Sequence, residues 1–422
     1  MAIIDIQSAN PHLSWVLFKN PETQKADGKP FQKTMRKGNL KSWYKDDQNF
    51  RLWFKDGKGE SSFYKNINNN YLDQSPFNCA FVYCTMMAEM LSSTIKKEHE
   101  KDIACYNKIT LSAINITLPT VADFFIHFFA DKVKIEKIQL GNKSYSYSFE
   151  GEVSLYYLTN LVQVFSLIQS IEDKNIFIDL TPAILIKYAN NLKAIDAPYF
   201  VVYLFISRCV PDFEGFKVVQ PILQKENWIL NFGNTQKQRY LAIKKFVQGG
   251  QVLHDIGCGE LYYSRNLASM YQGIIAWDTD AAIQERNSRF IIKKSIFNVE
   301  LKSSFNVEAI SCIETGQDLL ITEMLEHMEK TDASKILTEI TKAPFRRLII
   351  TMPNSDFNQF YKLSNEFRHD DHCWEPSFLE TQEWINNIFD NSQFSIIIKP
   401  IGDGIDGIHV STLIVIDKKE IK

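Results

Sequence analysis

No two cysteines in this 422-residue sequence are spaced C-x-x-C; the seven present (Cys79, Cys84, Cys105, Cys209, Cys258, Cys312, Cys373) are odd in number and scattered. That excludes a disulfide framework and a cysteine-rich zinc module, and fits a reducing compartment. Long apolar runs are missing too. The longest, from Tyr199 to Ile206, is too short to cross a bilayer and is soon followed by Arg208. The opening Met-Ala-Ile-Ile-Asp-Ile has neither the basic start nor the cleavage site of a secretory leader, so a cytoplasmic protein without membrane association is expected. Neither sign of charge dominates. A net charge of -3 argues against a non-specific coat on duplex nucleic acid, although a local basic pocket for one nucleic-acid end would not show in that total. There are no repeats, and Asn66-Ile-Asn-Asn-Asn70 is only a short polar loop.

What is present is an ordinary globular composition, 45% hydrophobic and 23% charged. The length exceeds what one core normally organises, so two domains are expected: 1–225, of α+β character, and 226–422. In the first, residues 1 to about 75 alternate aromatics with charges, as in Ser42-Trp-Tyr-Lys-Asp, and Asp56-Gly57 signals a hairpin, which predicts a small antiparallel sheet. Met86, Met87, Met90 and Leu91 then follow a helical period, Tyr145-Ser-Tyr-Ser-Phe149 alternates like a strand, and 155–171 carries an apolar helical face. No motif of catalytic spacing occurs before residue 230, so a docking or binding module is expected there.

The second domain reads as alternating hydrophobic strands and helices, the pattern of a doubly wound α/β sheet. Val252-Leu-His-Asp-Ile-Gly-Cys-Gly-Glu260 runs from a strand into a glycine turn, where Gly257 and Gly259 let backbone approach a ligand closely. A second strand, Gly273-Ile-Ile-Ala-Trp, ends in Asp278, 21 residues beyond Gly257, where an acid can accept the hydroxyls of a ribose. Asp255 would face a cofactor's ammonium group. Because Tyr262 occupies the third glycine's place in G-x-G-x-x-G, the set suits S-adenosylmethionine better than a dinucleotide; a nucleotide-free turn with a surface Asp is the alternative. Arg347-Leu-Ile-Ile-Thr-Met352 is a further strand. Ser377-Phe-Leu-Glu380 is a capping box whose helix should turn Leu379, Trp384, Ile385 and Ile388 to the core.

The sheet's apolar strand Asp318-Leu-Leu-Ile-Thr322 leads into Glu323-Met-Leu-Glu-His-Met328. If helical spacing has begun by Glu323, then Glu323, Glu326 and His327 share one face, and two carboxylates with an imidazole suit a divalent cation such as Mg²⁺ or Mn²⁺. Taken alone, E-x-x-E-H also reads as a solvated helix face. Phe367-Arg-His-Asp-Asp-His-Cys-Trp-Glu375 lies a short way past a strand end, and a loop with His369, Asp370, Asp371 and His372 can supply a further ligand.

Asp255-Ile-Gly-Cys-Gly-Glu260, Glu323-Met-Leu-Glu-His327, Thr351-Met-Pro-Asn-Ser-Asp-Phe-Asn358 and Phe367-Arg-His-Asp-Asp-His372, in this order, resemble the Hen-type small-RNA 3′-terminal ribose 2′-O-methyltransferases. Gln238-Arg239 resembles that family's Q-R element, and the resemblance covers about 225 to 422. Residues 1 to 220, notably Tyr71-Leu-Asp-Gln-Ser-Pro-Phe77, are similar to the amino-terminal half of the bacterial members. The resemblance implies a Rossmann-like class I methyltransferase sheet acting on an RNA 3′ end. It implies Glu323, Glu326, His327 and His372 as metal ligands, Asp278 and Ser295 as cofactor residues, and a polynucleotide kinase-phosphatase-ligase as partner in RNA repair. Two positions depart from the family pattern: Pro376 stands for the usual Trp, and Leu261 for a glycine common in the bacterial members. A non-catalytic scaffold for a repair ligase is the alternative of another class, and a metal-independent methyltransferase acting on a small molecule or protein is a third.

Overall fold

A computed structural model describes residues 2–35, 38–56, 78–117, 120–172, 180–363 and 367–419. The chain divides into two compact units, Met1–Gln224 and Lys225–Lys422. Among the described residues no helix is long and apolar enough to cross a membrane.

The first unit is built on a seven-stranded sheet of β1 (Ala2–Ser8), β2 (Phe31–Met35), β3 (Gly38–Asp46), β4 (Asn49–Asp56), β5 (Cys105–Asn115), β6 (Lys134–Gln139) and β7 (Ser144–Val153). Its order is β2-β3-β4-β1-β5-β7-β6, with every neighbouring pair antiparallel. Strict alternation explains its two faces: Ile4, Ile6, Leu52, Phe54, Ile109 and Leu111 point inward, and helices Ala80–Met90 and Leu155–Glu172 cover that side. Met86, Met87, Met90 and Leu91 are buried as the helical period predicts. The sheet is larger than expected from residues 1 to 75. β5, β6 and β7 add three strands, of which only the alternating segment Tyr145–Phe149 in β7 is expected from the sequence. Gly57 of the predicted hairpin, the polar loop 66–70 and the motif 71–77 lie outside the described residues.

The second unit contains β8 (Trp228–Ile229), β9 (Gly250–Ile256), β10 (Tyr271–Trp277), β11 (Val299–Lys302), β12 (Asp318–Thr322), β13 (Arg347–Pro353), β14 (Phe394–Ile405) and β15 (Ile408–Lys418). The order is β11-β10-β9-β12-β13-β15-β14-β8, with β9 to β13 parallel and β15, β14 and β8 antiparallel. This is a doubly wound, Rossmann-like sheet, and the chain's direction of winding reverses between β9 and β12, where such sheets open a crevice at their carboxyl edge. All five residues of β12 are buried, because helices pack on both faces. Leu337, Ile340, Trp384, Ile385 and Phe389 lie on one side, and Ile243, Tyr263 and Leu267 on the other.

The capping box forms as read, with Ser377 and Glu380 bonding each other's backbone. Leu379 corrects the predicted core face: it lies in the helix's first turn and is 68% exposed. Trp384 and Ile385 are buried, and Ile388 packs against them.

Candidate functional site

The carboxyl edge of the sheet collects the predicted residues in two neighbouring groups. At the end of β9 the glycine turn is stitched to β10: the amides of Gly257 and Cys258 both donate to the carbonyl of Trp277 at 2.9 Å. That places Gly259 beside Asp278, whose Oδ2 accepts its amide at 2.9 Å while Oδ1 accepts from the amide of Asp280 at 3.0 Å. Each oxygen keeps a second lone pair for a ligand hydroxyl. Leu261 takes a left-handed backbone, φ +57°, as a glycine would; its side chain is buried with Cys258 and Ala276, which offsets the strain.

Asp255 is fully buried. Its Oδ2 accepts from the Ser264 hydroxyl at 2.5 Å, and Oδ1 is buried without a partner. Burial pushes its carboxyl up to about 6. An orphaned carboxylate oxygen of this kind fits a cationic group, as the sequence reading requires of an S-adenosylmethionine site.

Ser295 is not part of this edge. Helix Ala281–Lys294 begins next to Asp278 and runs back along the sheet, so Ser295, its C-cap, lies at the amino end of β11. The residue topology brings forward instead is Ser303, directly after Lys302, whose carbonyl accepts from the Asp278 amide at 3.1 Å. The sequence reading missed it because the four-residue strand β11 was not recognised.

The second group follows β12. Helical spacing has not begun at Glu323, which corrects the shared-face argument: Glu323 adopts φ +47°, and only Leu325–His327 form a single 3-10 turn. The amide of Glu323 donates to the carbonyl of Thr351 at 3.0 Å, and that kink turns its side chain toward Arg239, whose Nη1 donates to Glu323 Oε2 at 3.1 Å. Glu326, His327 and His372 do converge, with one donor atom from each lying within 4.8 Å of the others. Glu323 is outside that triplet but leaves Oε1 buried and without a hydrogen bond.

The chemistry of the triplet fits a divalent cation. Glu326 is 0% exposed, and neither carboxylate oxygen has a hydrogen-bond partner among the described residues. Burial, followed by the charge of Glu323, holds its carboxyl well above the usual carboxylate range. The His327 and His372 rings stand edge to face with centroids 4.7 Å apart. His327 Nδ1 is 3.1 Å from Asp371 Oδ2 and His372 Nδ1 is 2.5 Å from Glu375 Oε1, which leaves each Nε2 as a lone-pair donor. Burial lowers the pKa of His372 and favours the neutral imidazole that a metal needs. His369 is exposed, its ring centroid 5.2 Å from that of His372.

Two supports, Glu375 and Arg368, escaped the sequence reading, and the Gln238-Arg239 element gains a structural role. Glu375 accepts from the Asn358 side chain at 2.7 Å and from the Arg368 amide at 2.6 Å, so the loop is clamped behind His372. Arg368 in turn bonds Asn358, Val410 and Asn354. Arg239 joins Glu323 to the Tyr263 hydroxyl, while neighbouring Gln238 ties the turn at Gly233 to the amide of Asp403. The i, i+3 spacing of His372 and Glu375 was the available signal for the first.

Residues 3–228 match the family model of the Hen1 N-terminal domain. Two solved structures superpose on the whole chain. One, from a Pnkp1/Rnl/Hen1 RNA repair complex, is 22% identical, covers 99% of this chain and 100% of its own, and has a TM-score of 0.76. The other, also from a Pnkp1/Rnl/Hen1 complex, has the same identity and coverage and a TM-score of 0.77. At that identity the likeness speaks for the fold. No curated protein matches the chain.

Proposed function

Since the chain belongs to the Hen1 N-terminal domain family, we propose that its carboxy-terminal unit transfers a methyl group from S-adenosylmethionine to the 2′-hydroxyl of the 3′-terminal ribose of RNA, with a divalent cation. The observation that carries this is Glu326: a wholly buried carboxylate with two unpartnered oxygens, grouped with two imidazoles at the same sheet edge as the orphaned Asp255 oxygen.

Glu326, His327 and His372 would hold the cation, with Glu323 beside them. When bound, such an ion lowers the pKa of a hydroxyl it contacts and fixes its direction. A donor set with two imidazoles favours Mn²⁺ over Mg²⁺. Asp255 and the Gly257–Gly259 turn would take the cationic cofactor, which supplies the electrophilic methyl, and Asp278 would orient its ribose. Glu375 fixes the tautomer of His372, and Asp371 does the same for His327. The hydroxyl proton would pass to a ligand imidazole or to His369, which lies outside the triplet with its ring centroid 5.2 Å from that of His372. Recognition of two vicinal oxygens would select a free RNA 3′ end and reject DNA, which lacks one of them. The likeness to a chain from a Pnkp1/Rnl/Hen1 complex supports a kinase-phosphatase and a ligase as partners in RNA repair.

The test is transfer of a radiolabelled methyl group from the cofactor to a short RNA by the full chain. Label should enter RNA with a free 3′ end in the presence of Mn²⁺, and stop with EDTA or after periodate oxidation of that end. Equal labelling of an RNA ending in a 2′-deoxynucleotide, or labelling that EDTA leaves untouched, overturns the reading.

A further inference from the structure

The aromatic and charged alternation of the first unit produces a surface with a chemistry of its own. On β3, Leu40 and Ser42 point into the core while Lys41 and Trp43 point out. On β4, Phe50, Leu52 and Phe54 point in, and Arg51, Trp53 and Lys55 point out. Cross-strand pairing sets Lys41 opposite Trp53 and Trp43 opposite Arg51, so the two indoles are diagonal neighbours on one face. Together with Gly28, Lys29 and Pro30 from the preceding loop, Lys41, Trp43 and Trp53 line a cleft of about 480 Å³. The helix that leads into that loop, Pro21–Asp27, is tied to the sheet: Gln24 exchanges hydrogen bonds with the backbone of Tyr44 on β3.

We propose that this cleft is a stacking site for bases of a single-stranded nucleic acid. Partly exposed indoles offer flat apolar faces, and every base has a matching face. Charge chooses the occupant. Asp5 engages Arg51 and Lys45, whereas Lys29 and Lys41 have no carboxylate partner among the described residues. Lys41 holds its ammonium 5.8 Å from the Trp53 ring centroid, so the charge and the indole belong to one patch. Two ammonium groups without a carboxylate partner among the described residues, beside two indoles, favour a polyanion. A proline-rich peptide would use the rings and leave the lysines idle. The proposal does not rest on methyl transfer, because stacking needs neither a 2′-oxygen nor a free 3′ end.

The experiment is fluorescence anisotropy of labelled oligouridylate and oligodeoxythymidylate of equal length with the full chain, in EDTA so that the cation-dependent site is silent. Both strands should bind. Trp43→Ala combined with Trp53→Ala should weaken both by about tenfold or more, and the corresponding pair of Phe substitutions should retain most of the affinity. Lys41→Ala should flatten the log-log salt dependence by about 0.7. Since the indoles face solvent, unchanged circular dichroism is expected, and the Phe pair controls for any loss of fold. Undiminished binding by the Ala pair, failure of the Phe pair to bind better than the Ala pair, or binding of a proline-rich peptide in place of either oligonucleotide overturns the proposal.

Discussion

Glu375 Oε1 lies 2.5 Å from His372 Nδ1, and both side chains are buried. The pair sets which nitrogen of His372 is free, and outer partners of this kind typically change metal affinity by 10- to 100-fold, on the order of 1–3 kcal/mol. Glu375→Gln should therefore weaken Mn²⁺ binding by about that factor, read by calorimetry. Thermal unfolding separates this from loss of the clamp on Arg368 and Asn358. Unchanged affinity in a folded variant would remove Glu375 from the site.

Folding strips the Glu326 carboxyl of water, which disfavours its charged form. Its folded-state pKa is raised above the unfolded value, so its contribution is fully favourable below the unfolded pKa and is lost as pH rises through the folded one. In metal-free buffer, Glu326→Gln should gain stability relative to the parent chain as pH rises above about 4.5, the ordinary glutamate range. Added Mn²⁺ should reverse the ranking, raising the Tm of the parent only. The check is a pair of urea titrations at acid and neutral pH.

Cofactor affinity should track the ionisation of Asp255, whose carboxyl burial pushes up to about 6. Protonation below that pH removes the negative charge that would meet a cation, so the binding constant should fall as pH drops through the window and level off above it. Asp255→Asn should bind weakly with little pH dependence. Calorimetry with S-adenosylhomocysteine alongside, which lacks the sulfonium charge but keeps the ammonium group, should show the same fall with pH, since the ammonium is the group that Asp255 would meet.

Arg239 and Glu323 form an ion pair with side chains 14% and 19% exposed. Removing the cation leaves a largely buried carboxylate alone, at a cost on the order of 3 kcal/mol. Arg239→Met should show this in urea unfolding, and Glu323→Gln in the same chain should recover much of it. Additive losses would mean that the two do not act on each other.

The two turn glycines should separate fold from binding. A Cβ on Gly257 would meet Met324 Cγ at 2.5 Å, whereas one on Gly259 meets nothing within 4 Å. Gly259→Ala should fold with a loss of about 1–2 kcal/mol for its left-handed backbone, yet lose cofactor affinity because the methyl occupies the ligand's approach. Gly257→Ala should be the less stable of the two by differential scanning calorimetry.

Much of the second unit was legible because strands buried on both faces read as unbroken apolar runs, and because Ser377, Glu380 and the glycine turn are short-range signals whose geometry is local. The misreadings have a common origin. Leu379 sits on a helix whose orientation a third element sets, Ser295 was separated from its sheet edge by a strand of four residues, and Glu323 was read as helical although its φ is +47°. In each case the deciding contact is distant in sequence.

The chain's own order of residues determined which side chains could ever act: two carboxylates after β12, imidazoles in the loop after β13, and an acid before the glycine turn. It could not determine that Glu326 rather than Glu323 would face His372, nor that Glu375 would stand behind that ring. Those outcomes depend on how a left-handed residue redirects the backbone and how Arg239 draws off the first carboxylate, and both arise only when segments 84 residues apart are packed together.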